Sequence, residues 1–232
     1  MNLVKPGYEI ISELPENPVE FLKVIERAAR VCYKSEGLIK DDGSSAEKLV
    51  RGLIKSNHTA MLEHQSLSVI FTVDRGVSHE LVRHRLASFA QESTRYCSYN
   101  GDKFGNQISV IDISGGLGLD PKATNMDHEK FQLILDIWEE AMIRAEDSYM
   151  KLLNVGCSPQ IARGVLPQSL KTEIVVTANL REWRHILSLR ACDATGPAHP
   201  QIKEVMVPLL KELHSKIPVV FDDLYELLPK AE

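Results

Sequence analysis

"LKTEIVVTANLREWRHILSLRA", Leu170 to Ala191, carries two periodicities with little punctuation between them. Its first half is rich in β-branched residues and reads as a strand. Its second half is helical by pattern, with Arg181, His185 and Leu189 four apart on one stripe. Upstream, "QSLSVIFTVDRG" alternates Leu67, Val69, Phe71 and Val73 against Ser66, Ser68, Thr72 and Asp74, the pattern of a half-buried strand, with only Ile70 out of step. Gly76 is then expected to open a turn. "VSHELVRHRLASF" returns to helical spacing through Val77, Leu81, Val82 and Leu86, and the residues from there to Tyr96 read as loop.

Farther out, "NPVEFLKVIERAARVCYKSEG" predicts a helix started by Asn17-Pro18 and stopped by Gly37. A second helix follows in "SSAEKLVRGLIKSN", with Ser45 as N-cap. "NQISVIDI" predicts a strand, Met126 to Val155 a long helix ended by Gly156, and "SPQIARGVLP" a short helix stopped by Pro167. The last predicted helix spans Pro200 to Ser215, while Tyr99 to Asn106 and Ser114 to Asn125 read as loops. Strands and helices mix without regular βαβ alternation, so the expected class is α+β: a central sheet containing antiparallel pairs, packed with helices, in one domain over residues 1–232.

Composition narrows the function classes. Hydrophobic residues at 44% and charged residues at 25% are ordinary globular values, and no apolar run approaches the roughly 18 residues of a membrane span. The N-terminus lacks the basic start and apolar stretch of a signal peptide, so the expected location is cytoplasmic. Cys32, Cys97, Cys157 and Cys192 lie far apart, with no CxxC pairing, and read as reduced thiols. A net charge of −5 argues against a broad nucleic-acid surface but permits one focused basic pocket.

Two tempting signals fail on spacing. Gly116-Leu117-Gly118 is followed by Asp120-Pro121 where a dinucleotide fingerprint needs a third glycine and a helix. His58, His64, His79 and His84, with Glu63 and Glu80, resemble a scattered metal set, but His79 and His84 are five apart and share no helical face, so no metal is expected. Cys97, beside arginines, reads equally as an activated thiolate or as a small half-buried residue.

The basic residues form two distant sets. "RHRLASFAQESTRY", Arg83 to Tyr96, supplies Arg83, Arg85 and Arg95 with Gln91, Ser93 and Thr94; the other set holds Arg163, Asn179, Arg181, Arg184, His185 and Arg190. Guanidinium forks with hydroxyl and amide donors suit a phosphate and a polar ring. By residue chemistry alone, a solvated charged face stands beside that reading.

"RHRLASFAQESTRY" resembles the RHR-x7-S signature of the flavin-dependent thymidylate synthases, with Arg83, His84, Arg85 and Ser93 in place. The resemblance extends to "HTAMLEHQSLSVIF" and to "ARGVLPQSLKTEIVVTANLREWRHILSLR", covering about residues 20 to 210. It implies an enzyme that methylates dUMP to dTMP, with 5,10-methylenetetrahydrofolate as carbon donor and FAD and NADPH as reductant. It further implies a homotetramer with active sites shared between subunits, and no cysteine nucleophile. Arg83, His84 and Arg85 would hold FAD, with Gln91, Asn179, Arg181, His185 and the position of Ala60. Glu80, Leu81, Val82 and Arg83, the loop Gln91, Glu92, Ser93, Thr94 and Arg95, and Arg163 would bind dUMP. Arg190 would be catalytic, stabilising negative charge on the uracil ring. Ala60 stands where a flavin-contacting Ser or Thr is common, His185 where some members have Asn, and "DATGPAH" after Arg190 is insertion-like. Two rival classes carry other expectations: a nucleic-acid-binding module would show steep salt dependence and no flavin spectrum, and a flavin reductase would oxidise NADPH without dUMP.

Overall fold

The computed structural model describes residues 1–101, 105–123 and 125–229. Its centre is a four-stranded, wholly antiparallel sheet in the order β2 (Gly7–Ile10), β3 (Ser66–Asp74), β6 (Lys171–Asn179), β4 (Ala87–Gln91). β3 and β6 pair along their whole length, from Ser66 opposite Asn179 to Asp74 opposite Lys171. Alternation decides what each strand buries: Leu67, Val69, Phe71 and Val73 from β3 and Ile174, Val176 and Ala178 from β6 face one core. Short strands β1 (Asn2–Val4) and β5 (Ser109–Ile111) form a separate parallel pair. The fold is α+β.

Helices cover the inner face of the sheet. α7 (Leu180–Arg190) follows β6 without a loop, because Asn179 both closes the strand and caps the helix, its Oδ1 accepting from the Glu182 N–H at 2.9 Å. Trp183 of α7 is fully buried, 6.3 Å from the ring of Phe71, and its indole N–H donates to the Leu67 carbonyl at 3.1 Å. α8 (Pro200–Lys216) and α9 (Pro218–Tyr225) add Leu209, Leu210, Leu213, Val220 and Phe221 to that core. α1 (Pro18–Val31) and α2 (Ser44–Lys55) add Phe21, Leu22, Ile25, Ala46 and Val50 to the same core. A second cluster, including Tyr99, Ile108, Val110, Met142, Tyr149 and Leu170, seats the long α5 (His128–Asn154).

Several sequence expectations change. Ser45 is not the cap of α2; Gly43 is, at φ +77°, and the buried Ser45 hydroxyl donates to Glu26 at 3.0 Å. Glu26 is itself fully buried and held by Arg30 at 2.9 Å. α1 ends at Val31, and Gly37 lies in a short 3-10 turn, Glu36–Leu38. Gly76 lies inside α3 (Arg75–Leu81), whose cap is Asp74, its Oδ1 accepting from Val77 N at 2.6 Å. α3 stops at Leu81 rather than continuing to Leu86, because Ala87–Gln91 is taken up as edge strand β4. That strand was expected as loop; its alternate residues are only partly buried, and Phe89 is its one large apolar side chain. Within the expected loop 114–125, Ser114–Leu119 is a helix, α4, packed on α8. Strands β1 and β2 and helix α9 were not anticipated.

Candidate functional site

Parts of the two distant basic sets meet at one end of the β4–β6–α7 unit. Arg83, His84 and Arg85 lie just beyond α3, and Asn179, Arg181 and His185 lie at the start of α7; together with Glu63, Leu86 and Glu182 they line one cleft of about 590 Å³. Arg83, Arg85, Arg181 and His185 are exposed, whereas His84 and Glu182 are buried. Arg181 donates to Glu63 at 2.6 Å. No ion pair or side-chain hydrogen bond holds the Arg83 and Arg85 guanidiniums among the described residues.

Beneath the cleft runs a chain of polar contacts. Arg190, in the last turn of α7, donates through Nη1 to Glu80 Oε2 at 2.7 Å and through Nε to His84 Nε2 at 3.2 Å. His84 Nδ1 stands 3.8 Å from Glu182 Oε1, an electrostatic contact beyond hydrogen-bond length. The His185 ring meets that of His84 edge-on, with centroids 6.0 Å apart. Burial, then the charge of Arg190 and the nearness of His185, push His84 down to about 4, so the ring is neutral at pH 7. Burial also holds the Glu182 carboxyl above its ordinary range, against the pull of His185 and Arg181.

Other expected residues lie elsewhere. Arg163 donates to Thr94 Oγ1 at 3.2 Å in a separate cavity of about 290 Å³, whose lining includes Arg75, His79 and Gln168 but no carboxylate. Gln91 donates to the Ser78 and Thr172 hydroxyls at 2.9 and 3.2 Å, so its amide N–H groups serve the sheet. Glu92 accepts from Tyr99 and Lys171, both at 3.3 Å. The Ser93 hydroxyl accepts from Arg95 N at 3.3 Å, and the exposed Arg95 guanidinium lies 5.4 Å from the Tyr96 ring centre. Val82 is exposed, but Leu81 is 1% exposed and belongs to the core, so its side chain faces no cleft. Ala60 and His58 line a neighbouring apolar cleft of about 640 Å³, which shares Arg181 with the first. Arg184 is drawn away from the site by a two-pronged pair with Asp223, at 2.6 and 2.7 Å, and by the Val220 carbonyl. His199 caps α8, its Nδ1 accepting from Gln201 N at 3.3 Å.

Glu182 was missed, and Glu63 was weighed only as part of a scattered metal set. For Glu182 a signal existed: Asn179 and Glu182 have the N-x-x-E spacing of a capping box, which sets the acid in the first turn of the site helix. No group of three His, Cys, Asp or Glu side chains among the described residues could hold a metal ion. No described helix is long and apolar enough to cross a membrane.

The fold is thus a helix-packed antiparallel sheet with a guanidinium-lined cleft, and comparison with known proteins gives its kin. The Thy1 family model, described as thymidylate synthase complementing protein, matches residues 15–219. The chain belongs to this family of enzymes, that of the flavin-dependent thymidylate synthases. It is 32% identical over 201 residues to the flavin-dependent thymidylate synthase of Geobacter sulfurreducens, covering 84% of this chain and 78% of that one. It is also 32% identical over 210 residues to that of Mycolicibacterium gilvum, covering 90% and 81%. A solved structure of the UMP/dUMP methylase PolB from Streptomyces cacaoi, bound with 5-Br dUMP, aligns with TM-score 0.76 and 27% identity over 97% of each chain.

Proposed function

We propose that this enzyme methylates dUMP to dTMP with 5,10-methylenetetrahydrofolate as carbon donor and FAD and NADPH as reductant, acting in the cytoplasm as a homotetramer of single-domain subunits with shared active sites. The observation that carries the reading is the convergence of Arg83, His84 and Arg85 with Asn179, Arg181 and His185 on one cleft. Its donor set fits a flavin dinucleotide: free guanidiniums for a pyrophosphate, and imidazole and amide edges for polar rings. The flavin supplies hydride chemistry when bound.

The chain's own residues bind and orient. Arg83, Arg85 and Arg181 hold the cofactor's anionic part. Thr94 and Arg163, with Ser93 and Arg95 close by in sequence, hold the nucleotide phosphate. Arg190 keeps the N–H groups not taken by Glu80 and His84 for the pyrimidine edge, where a cation that never loses its proton stabilises negative charge on the ring. No cysteine lines the Arg83 cleft, and the Cys192 thiol is pushed up by burial and by Asp193 and Asp223, so it is a poor nucleophile.

The purified protein should be yellow and should release tritium from C5-labelled dUMP only with methylenetetrahydrofolate and reduced flavin present. A colourless protein that cannot be reconstituted with FAD and forms no dTMP would overturn the reading. Single Cys→Ser variants should keep turnover, and loss of turnover in one that stays folded would restore a thiolate mechanism.

A further inference from the structure

The apolar cleft of about 640 Å³ beside the Arg83 cleft runs on into a further cavity of about 550 Å³ over α1, the Glu36–Leu38 turn and α2; the two share Arg30, Leu38, Leu49 and Leu53. At its inner end this groove shares Arg181 with the Arg83 cleft, and at its outer end it carries Lys40 and Lys48. Its lining changes character along that length. Ala29, Leu49, Leu53 and Met61 make the middle apolar, and beside them Tyr33 and Leu38 stand 85% and 61% exposed, apolar surface that the fold leaves uncovered. No carboxylate lines either cavity among the described residues, in a chain whose net charge is −5. Arg30 is neutralised by the buried Glu26, to which it donates through Nε and Nη2 at 3.2 and 2.9 Å. Lys40 and Lys48 are exposed and have no ion pair among the described residues, and the neighbouring Asp41, Asp42 and Glu47 line neither cavity. The cations without a bonded acid therefore sit at the outer end.

A ligand matched to this order has a polar ring at one end, a flat apolar link and carboxylates at the other. Among the molecules of the proposed reaction, the folate has that plan: a pterin, an aminobenzoyl link and a glutamate, to which further γ-linked glutamates each add a carboxylate. A nicotinamide dinucleotide does not, because its pyrophosphate would fall in the apolar middle. We infer that the groove over α1 and α2 receives the aminobenzoyl-glutamate arm of the folate co-substrate, with Lys40 and Lys48 taking the carboxylates of its glutamate chain. The inference rests on the proposed function for the identity of its ligand. It makes the length of the glutamate chain a determinant of affinity.

The test titrates the flavin-loaded protein, with dUMP present, with tetrahydrofolate carrying one or five glutamates, and measures KM for the corresponding methylenetetrahydrofolates. Exposed ion pairs are each worth up to about fivefold, so the wild type should favour the pentaglutamate by about 5- to 25-fold. Raising salt from about 50 to about 500 mM should erase most of that preference. Lys40→Ser combined with Lys48→Ser should abolish it, leaving kcat, flavin content and the KM values for dUMP and NADPH at wild type. A Cβ at Gly52, on the exposed side of α2 and in the groove lining, would meet nothing within 4 Å. Gly52→Phe should therefore place a ring in the groove and raise KM for both folates, with flavin content unchanged.

Equal affinity for the two folates in the wild type, a preference that survives in the double variant, or wild-type KM values in Gly52→Phe would each overturn the inference. A raised KM for NADPH or a loss of flavin in the double variant would give the groove to a dinucleotide instead. A wild-type protein that forms no dTMP would sink the functional reading, while the titration, which needs no turnover, would still decide the groove.

Discussion

Arg190 Nη1 lies 2.7 Å from Glu80 Oε2, a contact between residues 110 apart in sequence that ties the last turn of α7 to α3. Glu80 therefore acts on the guanidinium, and its expected role in substrate binding runs through Arg190. Arg190→Ala should nearly abolish dTMP formation. Glu80→Gln keeps an acceptor and should lose less than about tenfold, whereas Glu80→Ala should lose about 10- to 100-fold. Steady-state turnover of the three variants checks this, and an Arg190→Ala enzyme close to wild type would refute it.

The buried His84 and the half-buried Glu204 give opposite pH dependences of stability. His84 titrates near 4 when folded and near 6.5 when unfolded, so between those values the unfolded chain binds the extra proton. Stability then falls as pH drops from 6.5 toward 4, by about 3 kcal/mol at most. Glu204 is pushed up to about 7 by burial and by Asp112 and Asp74, so its folded state holds a proton that the unfolded state releases above 4.5. Its contribution is full below pH 4.5 and is lost as pH rises through 7. Thermal melts between pH 4 and pH 8 should separate them: His84→Gln should flatten the acid limb, and Glu204→Gln the limb toward pH 8. Unchanged slopes in both variants would refute the assignment.

Gly43 caps α2 at φ +77°, and a Cβ there would lie 1.8 Å from Val19 Cγ1 of α1. Gly43→Ala should cost about 1–3 kcal/mol through overpacking, with further strain from the left-handed backbone. The melting midpoint should drop by several degrees, while Gly118→Ala, with nothing within 4 Å, should show no clash penalty.

Arg163 donates to Thr94 in a cavity free of carboxylates. Arg163→Met should raise the KM for dUMP about tenfold or more and leave flavin content unchanged. Binding of deoxyuridine, which has no phosphate, should not change; equal weakening for both ligands would show that Arg163 acts on the fold instead.

What the sequence disclosed follows the physics of each element. β3 and β6 were legible because each has one buried face, so their apolar residues keep a period of two. β4 was not, because an edge strand with one large apolar residue leaves no such trace beside the arginines that precede it. The resemblance named Arg83, His84, Arg85, Asn179, Arg181 and His185 of the cleft but not Glu63, Leu86 or Glu182, and no pattern could show that His84 turns inward or that Arg190 is gripped by Glu80. Those are contacts across more than a hundred residues. Arg184 shows the converse: helical spacing places a residue on a helix, while Asp223, an acid from a distant helix, decides where the side chain goes.

The strand pair β3–β6 also acts as a ruler. α3 departs after Asp74, at one end of its nine-pair ladder, and α7 after Asn179, at the other, yet Glu80 and Arg190 come within bonding distance. Adding or deleting one residue inside either strand would exchange its two faces. It would also shift the attached helix by about 3.3 Å along the strand, parting the pair however well the core repacked. The exposed turn at Ala194–Pro197 carries no such constraint. Length variation should therefore be accepted there and rejected in the ladder, so the spacing between these two strands and their helices sets the Glu80–Arg190 contact as much as either side chain does.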